Sequence, residues 1–399
     1  MSDARANDIV LVAPVRTPIG KFGGALATLT AADLGVAAAG ACLERAGAAP
    51  EAIDQVLFGH ARQAGCGPNT ARQIAYRSGV PVERPAFTIN QACGSGLQAV
   101  FAAARAIRGG EAEAVLAGGT ESMSNTPYML PRGRWGYRLG HAELTDGMYR
   151  DGFNDPLSGL VMGETAEELA DEAGIDREAA DRWALASQTR CAAAREAGRF
   201  AHEIAPLTVP GRRGDTVVET DEHPRDGVSL DSLGRLKPVF RDGGTVTAGN
   251  ASGITDGATA LLVTTVGTAE RHGWQPAARL VDWTVVGVEP RIMVISPVPA
   301  VRRLLDRTGV ASGDIGQVEL NEAFASQVLA CLAELDFDEA TVNPDGGAIA
   351  LGHPIGCTGA RILTTLLHGL AARDQRYGIA TLCVSGGMGL AALVERPAA

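Results

Sequence analysis

Asn90-Gln91-Ala92-Cys93-Gly94-Ser95-Gly96-Leu97-Gln98-Ala99 follows the short apolar run 86–89 and opens a stretch of helical periodicity over 95–107. A strand that gives way to a helix within a few residues is the building unit of an α/β fold. At such a turn, free backbone N–H groups and the positive end of the helix favour a thiolate, and glycines on its C-terminal side let another group approach the backbone. Cys93 is therefore a candidate nucleophile, against the ordinary reading of a free cysteine as a small buried hydrophobe.

Outward from this segment the same alternation fills the first third of the chain. Residues 9–13, 55–58, 86–89 and 114–117 have strand character, and between them lie helical patterns over 30–45, with Thr30 as cap and Gly47 as stop, and over 70–78. Residues 124–253 are richer in Pro, Gly and charge, with helices expected near 164–173 and 177–198. Such a stretch reads as a large inserted loop region covering a site. Alternation then resumes, with strands near 258–264, 279–288, 317–319 and 379–384 and helices near 298–308, 323–332 and 359–370. The two ends read as paired α/β halves. Cys93-Gly94-Ser95-Gly96 and Cys383-Val384-Ser385-Gly386-Gly387 provide a weak internal echo between them.

Composition narrows the function. The 399 residues are 46% hydrophobic but 5% aromatic, with 50 glycines, which suits buried helices whose backbones approach closely. The length fits two or three packed units and needs no disulfide. A formal net charge of −11 argues against nucleic-acid or anionic-membrane partners, so an anionic ligand must rely on local cations. No apolar run spans a bilayer and Met1 to Asp8 is polar, which makes the cytosol the expected compartment. Seven widely spaced cysteines, with no CxxC and no Cys/His cluster, point to reduced thiols and no metal.

Three further segments carry polar groups at the ends of elements. Asn343-Pro344-Asp345-Gly346-Gly347-Ala348-Ile349-Ala350-Leu351-Gly352-His353-Pro354 fixes His353 in a stiff loop, as an imidazole that activates a thiol requires. Thr381-Leu382-Cys383-Val384-Ser385-Gly386-Gly387-Met388-Gly389 ends a strand in a turn able to present N–H groups to an oxyanion. Asn321-Glu322-Ala323-Phe324 lies between a strand and a helix, where Asn321 either caps the helix or points into a cleft. A reading from another enzyme class starts from Gly94, Gly96 and Ala99, which fit a G-x-G-x-x-A dinucleotide fingerprint with Glu111 and Glu113 as ribose ligands of an NAD-dependent dehydrogenase. Against it, the fingerprint normally follows the first strand of its unit, and here the first strand leads into Pro14-Val15-Arg16-Thr17-Pro18.

In this order, the Cys93, Asn321, His353 and Cys383 segments resemble the thiolase family, together with Gly118-Gly119-Thr120-Glu121-Ser122-Met123-Ser124 and Thr245-Val246-Thr247-Ala248-Gly249-Asn250-Ala251-Ser252-Gly253. The likeness runs from Asp8 to Glu395. It implies an α/β five-layered fold of two pseudo-repeated halves: residues 1–123 completed by about 254–274, and residues 275–399, with a loop domain at 124–253 over the coenzyme A site. It also implies catalytic roles. Cys93 takes the acyl group, His353 activates it, and Cys383 moves the α-carbon proton. Asn321, through a water, and His353 form one oxyanion hole, and the N–H groups of Cys93 and Ser385 form the other. The chemistry agrees, because breaking a C–C bond beside a thioester needs an acyl carrier, a proton acceptor and two sites for negative oxygen.

By the same resemblance, Arg225 and Ser232 contact the coenzyme A nucleotide, Ala248 and Ser252 line the pantetheine channel, and Met162 and Phe240 form its wall. Coenzyme A is a substrate and no cofactor is expected. Two departures stand out. Ser385 replaces a usual glycine, which would strain a left-handed backbone. Val161 replaces a histidine found in biosynthetic acetoacetyl-CoA thiolases, so a more apolar acyl end and longer 3-oxoacyl substrates are expected, with acetyl-CoA acetyltransferase as the alternative. The family pairs its subunits, and residues 132–144 resemble the loop that joins dimers, so a homodimer or homotetramer is expected.

Overall fold

The computed structural model describes residues 6–212 and 214–397; most of the polar N-terminal octapeptide and Arg213 of the inserted region lie outside them. One ten-stranded sheet runs through these residues. Its main path is Ile315–Leu320, Tyr377–Val384, Met388–Glu395, Pro276–Gly287, Ile9–Arg16, Thr255–Thr265, Ala114–Ser122, Gln55–Gly59 and Ala86–Ile89. Pairing is parallel among the last three strands and between the first two, and antiparallel elsewhere along the path.

Side-chain alternation divides this sheet between three helical layers. On Ile9–Arg16, Ile9 and Leu11 face one core while Val10 and Val12 face another; on Met388–Glu395, Leu390, Ala392 and Val394 share the first core while Ala391 and Leu393 face a third. The shared core is filled by helices Ser95–Arg108 and Ile355–Ala372, the second by Ala31–Ala46 and Thr70–Arg77, and the third by Pro297–Thr308 and Ala325–Glu334. Both faces of the strands are thus buried, which is why they read as near-continuous apolar runs. The order helix, sheet, helix, sheet, helix makes five layers.

Local signals set several boundaries. Thr30 accepts the Asp33 N–H at 3.1 Å while Asp33 accepts the Thr30 N–H at 2.8 Å, and Gly47 ends that helix at φ 63°. The first strand runs past Ala13 to Arg16 because Ala13 takes φ 48° in a bulge where the pairing register shifts between Val12 and Val15. A further strand, Met388–Glu395, was not expected: its Gly387-Met388-Gly389 start reads as turn.

The halves repeat in topology, and the repeat corrects the sequence echo. Ser95–Arg108 and Ile355–Ala372 are the equivalent central helices, so Cys93, two residues before the first, corresponds to His353, two before the second. Cys383 is the penultimate residue of its strand, and its equivalent is Glu121, penultimate in Ala114–Ser122. Among the described residues, the second half has no strand matching Ala86–Ile89; a parallel bridge between Val318 and Val342 stands there instead.

Residues between Ser122 and Thr255 leave the sheet and carry helices Met162–Ala173 and Arg177–Glu196 with two short hairpins. Buried Arg16 ties this region to the first strand, donating to Glu203 at 2.6 Å and to both oxygens of Asp221 at 2.6 and 2.8 Å.

Candidate active site

Cys93 sits between two tight features. Ala92 is held at φ 44°, and its carbonyl accepts the Ser95 hydroxyl at 2.6 Å, while Ser95 Oγ accepts the Gln91 N–H at 2.9 Å. A non-glycine in the left-handed region costs about 1–3 kcal/mol, so this elbow is held by its surroundings. Glycine contacts supply them. A Cβ on Gly96 would lie 2.9 Å from the Ala360 nitrogen, and one on Gly359 would lie 2.6 Å from the Leu97 nitrogen. The two central helices therefore cross backbone to backbone at their first turns, and this crossing brings Cys93 and His353 together.

These glycines serve helix contact, whereas the sequence suggested substrate approach. The same geometry excludes the dinucleotide reading: a Cβ on Gly94 would meet Val384 and Leu390 at 3.0 Å, so side chains fill the space a pyrophosphate would need.

Cys93, His353, Cys383 and Ser385 line one cavity of about 310 Å³. Its walls include Met162, Phe240, Ala248 and Ser252, together with Val161. The π-helical turn Tyr149–Phe153 contributes Tyr149, Gly152 and Phe153 from the inserted region. Phe240 packs edge-on against Phe324 with centroids 6.5 Å apart. Arg225 is exposed and donates to the Ala248 carbonyl at 3.3 Å, beside the cavity wall. Ser232 stands apart from the lining: its hydroxyl accepts the Ser229 N–H at 3.0 Å and donates to the Ser229 carbonyl at 2.8 Å in the cap of a short helix.

The imidazole of His353 is oriented from behind. Thr358 Oγ1 donates its proton to the Pro354 carbonyl at 3.0 Å, so the 2.6 Å contact with His353 Nδ1 has the imidazole as donor. Nε2 is left with a lone pair. Burial, reinforced by the Arg361 and Arg62 cations, pushes the pKa of His353 down to about 3, so the ring is neutral at physiological pH.

The expected thiolate at Cys93 is corrected. Burial pushes this thiol up, and the Arg62 cation and the backbone N–H groups of Ser385 and Cys93 itself pull it back without cancelling the rise. Cys383 is pushed well above the ordinary thiol range by burial and by Cys93. Both cysteines are thus thiols awaiting a base. The concern over Ser385 disappears, because the left-handed positions in its turn are Gly386 and Gly387, at φ 83° and 82°.

Asn321 does not cap a helix: the next helix, Ala325–Glu334, starts four residues later with Phe324 as its cap position. Its backbone N–H donates to the Thr381 carbonyl at 3.0 Å, and both side-chain amide atoms are buried without a hydrogen-bond partner. The neighbouring Glu322 gathers Trp183 Nε1 at 3.0 Å, Ser187 Oγ at 2.7 Å, Asn343 Nδ2 at 3.0 Å and the Ile349 N–H at 3.1 Å, fixing this segment to the histidine loop.

Sequence reasoning missed Thr358, Glu121 and Arg62. Glu121 accepts N–H groups from Ala61 at 3.2 Å, Arg62 at 3.1 Å and Gly356 at 2.8 Å, binding both halves behind the site. A polar residue inside the apolar strand Ala114–Ser122 was the available signal.

Family models described as "Thiolase, N-terminal domain" and "Thiolase, C-terminal domain" match residues 9–267 and 274–396. An acetyl-CoA acetyltransferase of Cupriavidus necator is 49% identical over 391 residues, covering 98% of this chain and 100% of that protein. Among solved structures, the Bacillus anthracis acetyl-CoA acetyltransferase superposes with a TM-score of 0.96 at 44% identity, covering 98% of this chain and 99% of that one. Human mitochondrial 3-ketoacyl-CoA thiolase also gives 0.96, at 42% identity over 98% and 100% of the two chains. With both domain models, full-length relatives and the five-layered architecture in agreement, the chain belongs to the thiolase family.

Proposed function

We propose that the protein catalyses the thiolase reaction through an acyl-Cys93 intermediate, with His353 as the base for the nucleophile and Cys383 as the acid/base at the α-carbon. The observation that carries this reading is the meeting at one cavity of the Cys93 thiol, the Ser385 turn, a neutral imidazole and a second thiol.

In the cleavage direction, His353 Nε2 takes the Cys93 proton as the sulfur bonds to C3 of a 3-oxoacyl-CoA. The C2–C3 bond breaks and its electron pair passes to C2 as the enolate of acetyl-CoA, which Cys383 protonates. Coenzyme A then gives its thiol proton to the Cys383 thiolate and attacks acyl-Cys93. Acyl-CoA leaves, and the His353 imidazolium returns its proton to Cys93. The N–H groups of Cys93 and Ser385 stabilise oxygen charge on the group bonded to Cys93, and His353 with Asn321, through a water, serves the thioester enolate. Each such donor contributes about 3–4 kcal/mol to a transition state.

Acetyl-CoA condensation is the same path in reverse, and it is the reaction after which the Cupriavidus necator relative is named. Coenzyme A enters as a substrate, consistent with the human relative solved in complex with CoA. Ala248, Ser252, Met162 and Phe240 would line its channel and Arg225 would meet its phosphates, with Ser232 at the outer edge. None of the helices of the described residues is long and apolar enough to cross a membrane, and the cytosol is the compartment this reading favours.

The test separates the cysteines. Acetyl-CoA should label Cys93 in the native protein and, more slowly, in Cys383→Ser. That variant should lose deuterium exchange into acetyl-CoA by at least the roughly 10²–10⁴-fold typical of a lost general acid/base. Normal exchange in Cys383→Ser, or acetyl label on Cys66 or Cys357 with Cys93→Ser still active, would overturn the assignment.

A further inference from the structure

Arg62 lines the cavity beside Cys93 and is 6% exposed. Deeply buried Arg16 pairs with Glu203 and Asp221, whereas Arg361 faces Glu319 only at 4.0 Å and has none of its nitrogens hydrogen-bonded. Arg62 has no ion pair among the described residues, and its Nε is buried without a hydrogen-bond partner. Glu121, whose carboxyl the Arg62 cation helps to hold low, is already engaged by three backbone N–H groups and by His60 at 3.2 Å.

The position of the guanidinium is built, too. A Cβ on Gly152 would lie 2.3 Å from its Nη2, so glycine at 152 lets the group lie against the backbone of the inserted region. Elsewhere the cavity's walls are apolar, with Met123, Phe153, Val161 and Ile355.

An unpaired buried cation is costly, and an apolar acyl chain packed against it would strip its remaining water without return. A carboxylate delivered by the substrate reverses this balance, because a desolvated, charge-assisted and often bidentate Arg–carboxylate contact is among the stronger polar interactions. We propose that Arg62 is a specificity residue that binds a carboxylate at the far end of a short acyl chain, so that the preferred substrate is a 3-oxo dicarboxylic acyl-CoA. This rests on the thiolase reading, since the carboxylated fragment is the one transferred to Cys93.

The experiment compares three thioesters: acetoacetyl-CoA, 3-oxohexanoyl-CoA and 3-oxoadipyl-CoA, the last two having the same carbon count and differing in the terminal carboxylate. The native protein should cleave 3-oxoadipyl-CoA with kcat/KM at least about tenfold above 3-oxohexanoyl-CoA, the factor expected from roughly one net charge-assisted contact. Arg62→Leu should invert that ratio, chiefly through KM for the dicarboxylic substrate, and Arg62→Lys should restore part of it. A native preference for 3-oxohexanoyl-CoA, or a ratio unmoved by Arg62→Leu, would overturn the proposal. The native ratio decides by itself if the leucine variant does not fold. Cleavage of none of the three would instead remove the thiolase reading.

Discussion

His353 and Thr358 show how one hydrogen bond sets a proton's address. With Nδ1–H committed to Thr358 and the pKa near 3, the imidazole keeps its lone pair throughout the physiological range. The rate of Cys93 acetylation by acetyl-CoA should therefore rise with pH without an inflection at the ordinary histidine value of about 6.5, following the raised thiols instead. Quench measurements between about pH 5 and 9 check this, and a clear break near 6.5 would mean that His353 titrates normally. Cys93, His353 and Cys383 were legible because each lies in a short motif at the end of an element. Their protonation states were not. A helix end favours an anion by about 0.3–1 kcal/mol, while desolvating one costs several, and only packing reveals which applies. Arg62 was illegible for the same reason. Lining the same cavity as Val161, it adds a cation where the sequence suggested a more apolar acyl end.

Between elements, the crossing of Ser95–Arg108 with Ile355–Ala372 is the contact on which the site depends. Gly96→Ala places a methyl 2.9 Å from a backbone nitrogen that cannot rotate away. Overpacking of this kind costs about 1–3 kcal/mol and should also separate Cys93 from His353. A lower urea midpoint together with slower acetylation is expected, and a variant with native values of both would show that the helices part freely. Most strands and helices could be read in advance, since buried β-branched runs and caps such as Thr30 are local signals. Met388–Glu395 could not: Leu390-Ala391-Ala392-Leu393-Val394 suits a helix as well as a strand, and its pairing with both Tyr377–Val384 and Pro276–Gly287 decides.

Across the whole molecule, Glu121 joins the halves, and His60 is its charge partner. Burial would lower the His60 pKa, but the neighbouring Cys66 and the Glu121 carboxylate, 3.2 Å away, outweigh it and hold the value at about 9. A raised folded pKa stabilises fully below the unfolded value of about 6.5 and is lost as pH rises through about 9. The deficit of His60→Asn in urea midpoint should accordingly be larger near pH 6 than near pH 9.5, and an equal deficit at both would deny the charged pair. The exposed side chains of Trp135 and Leu139, 85% and 97% accessible, sit in the loop expected to join dimers. Light scattering at micromolar concentration should return a dimer or tetramer, and a monomer would count against that assembly. The repeat itself was visible as a pattern of alternation, but its register was not, because similar Cys–Gly letters outweighed topology. That register has a historical consequence. Cys93 and His353 occupy the same site in two copies of one unit. A pair of identical, separate units would necessarily carry the same side chain at both helix starts, two nucleophiles or two bases. Placing different side chains at the two helix starts required two separately encoded copies, each free to mutate without the other: duplication came before the asymmetry of the site.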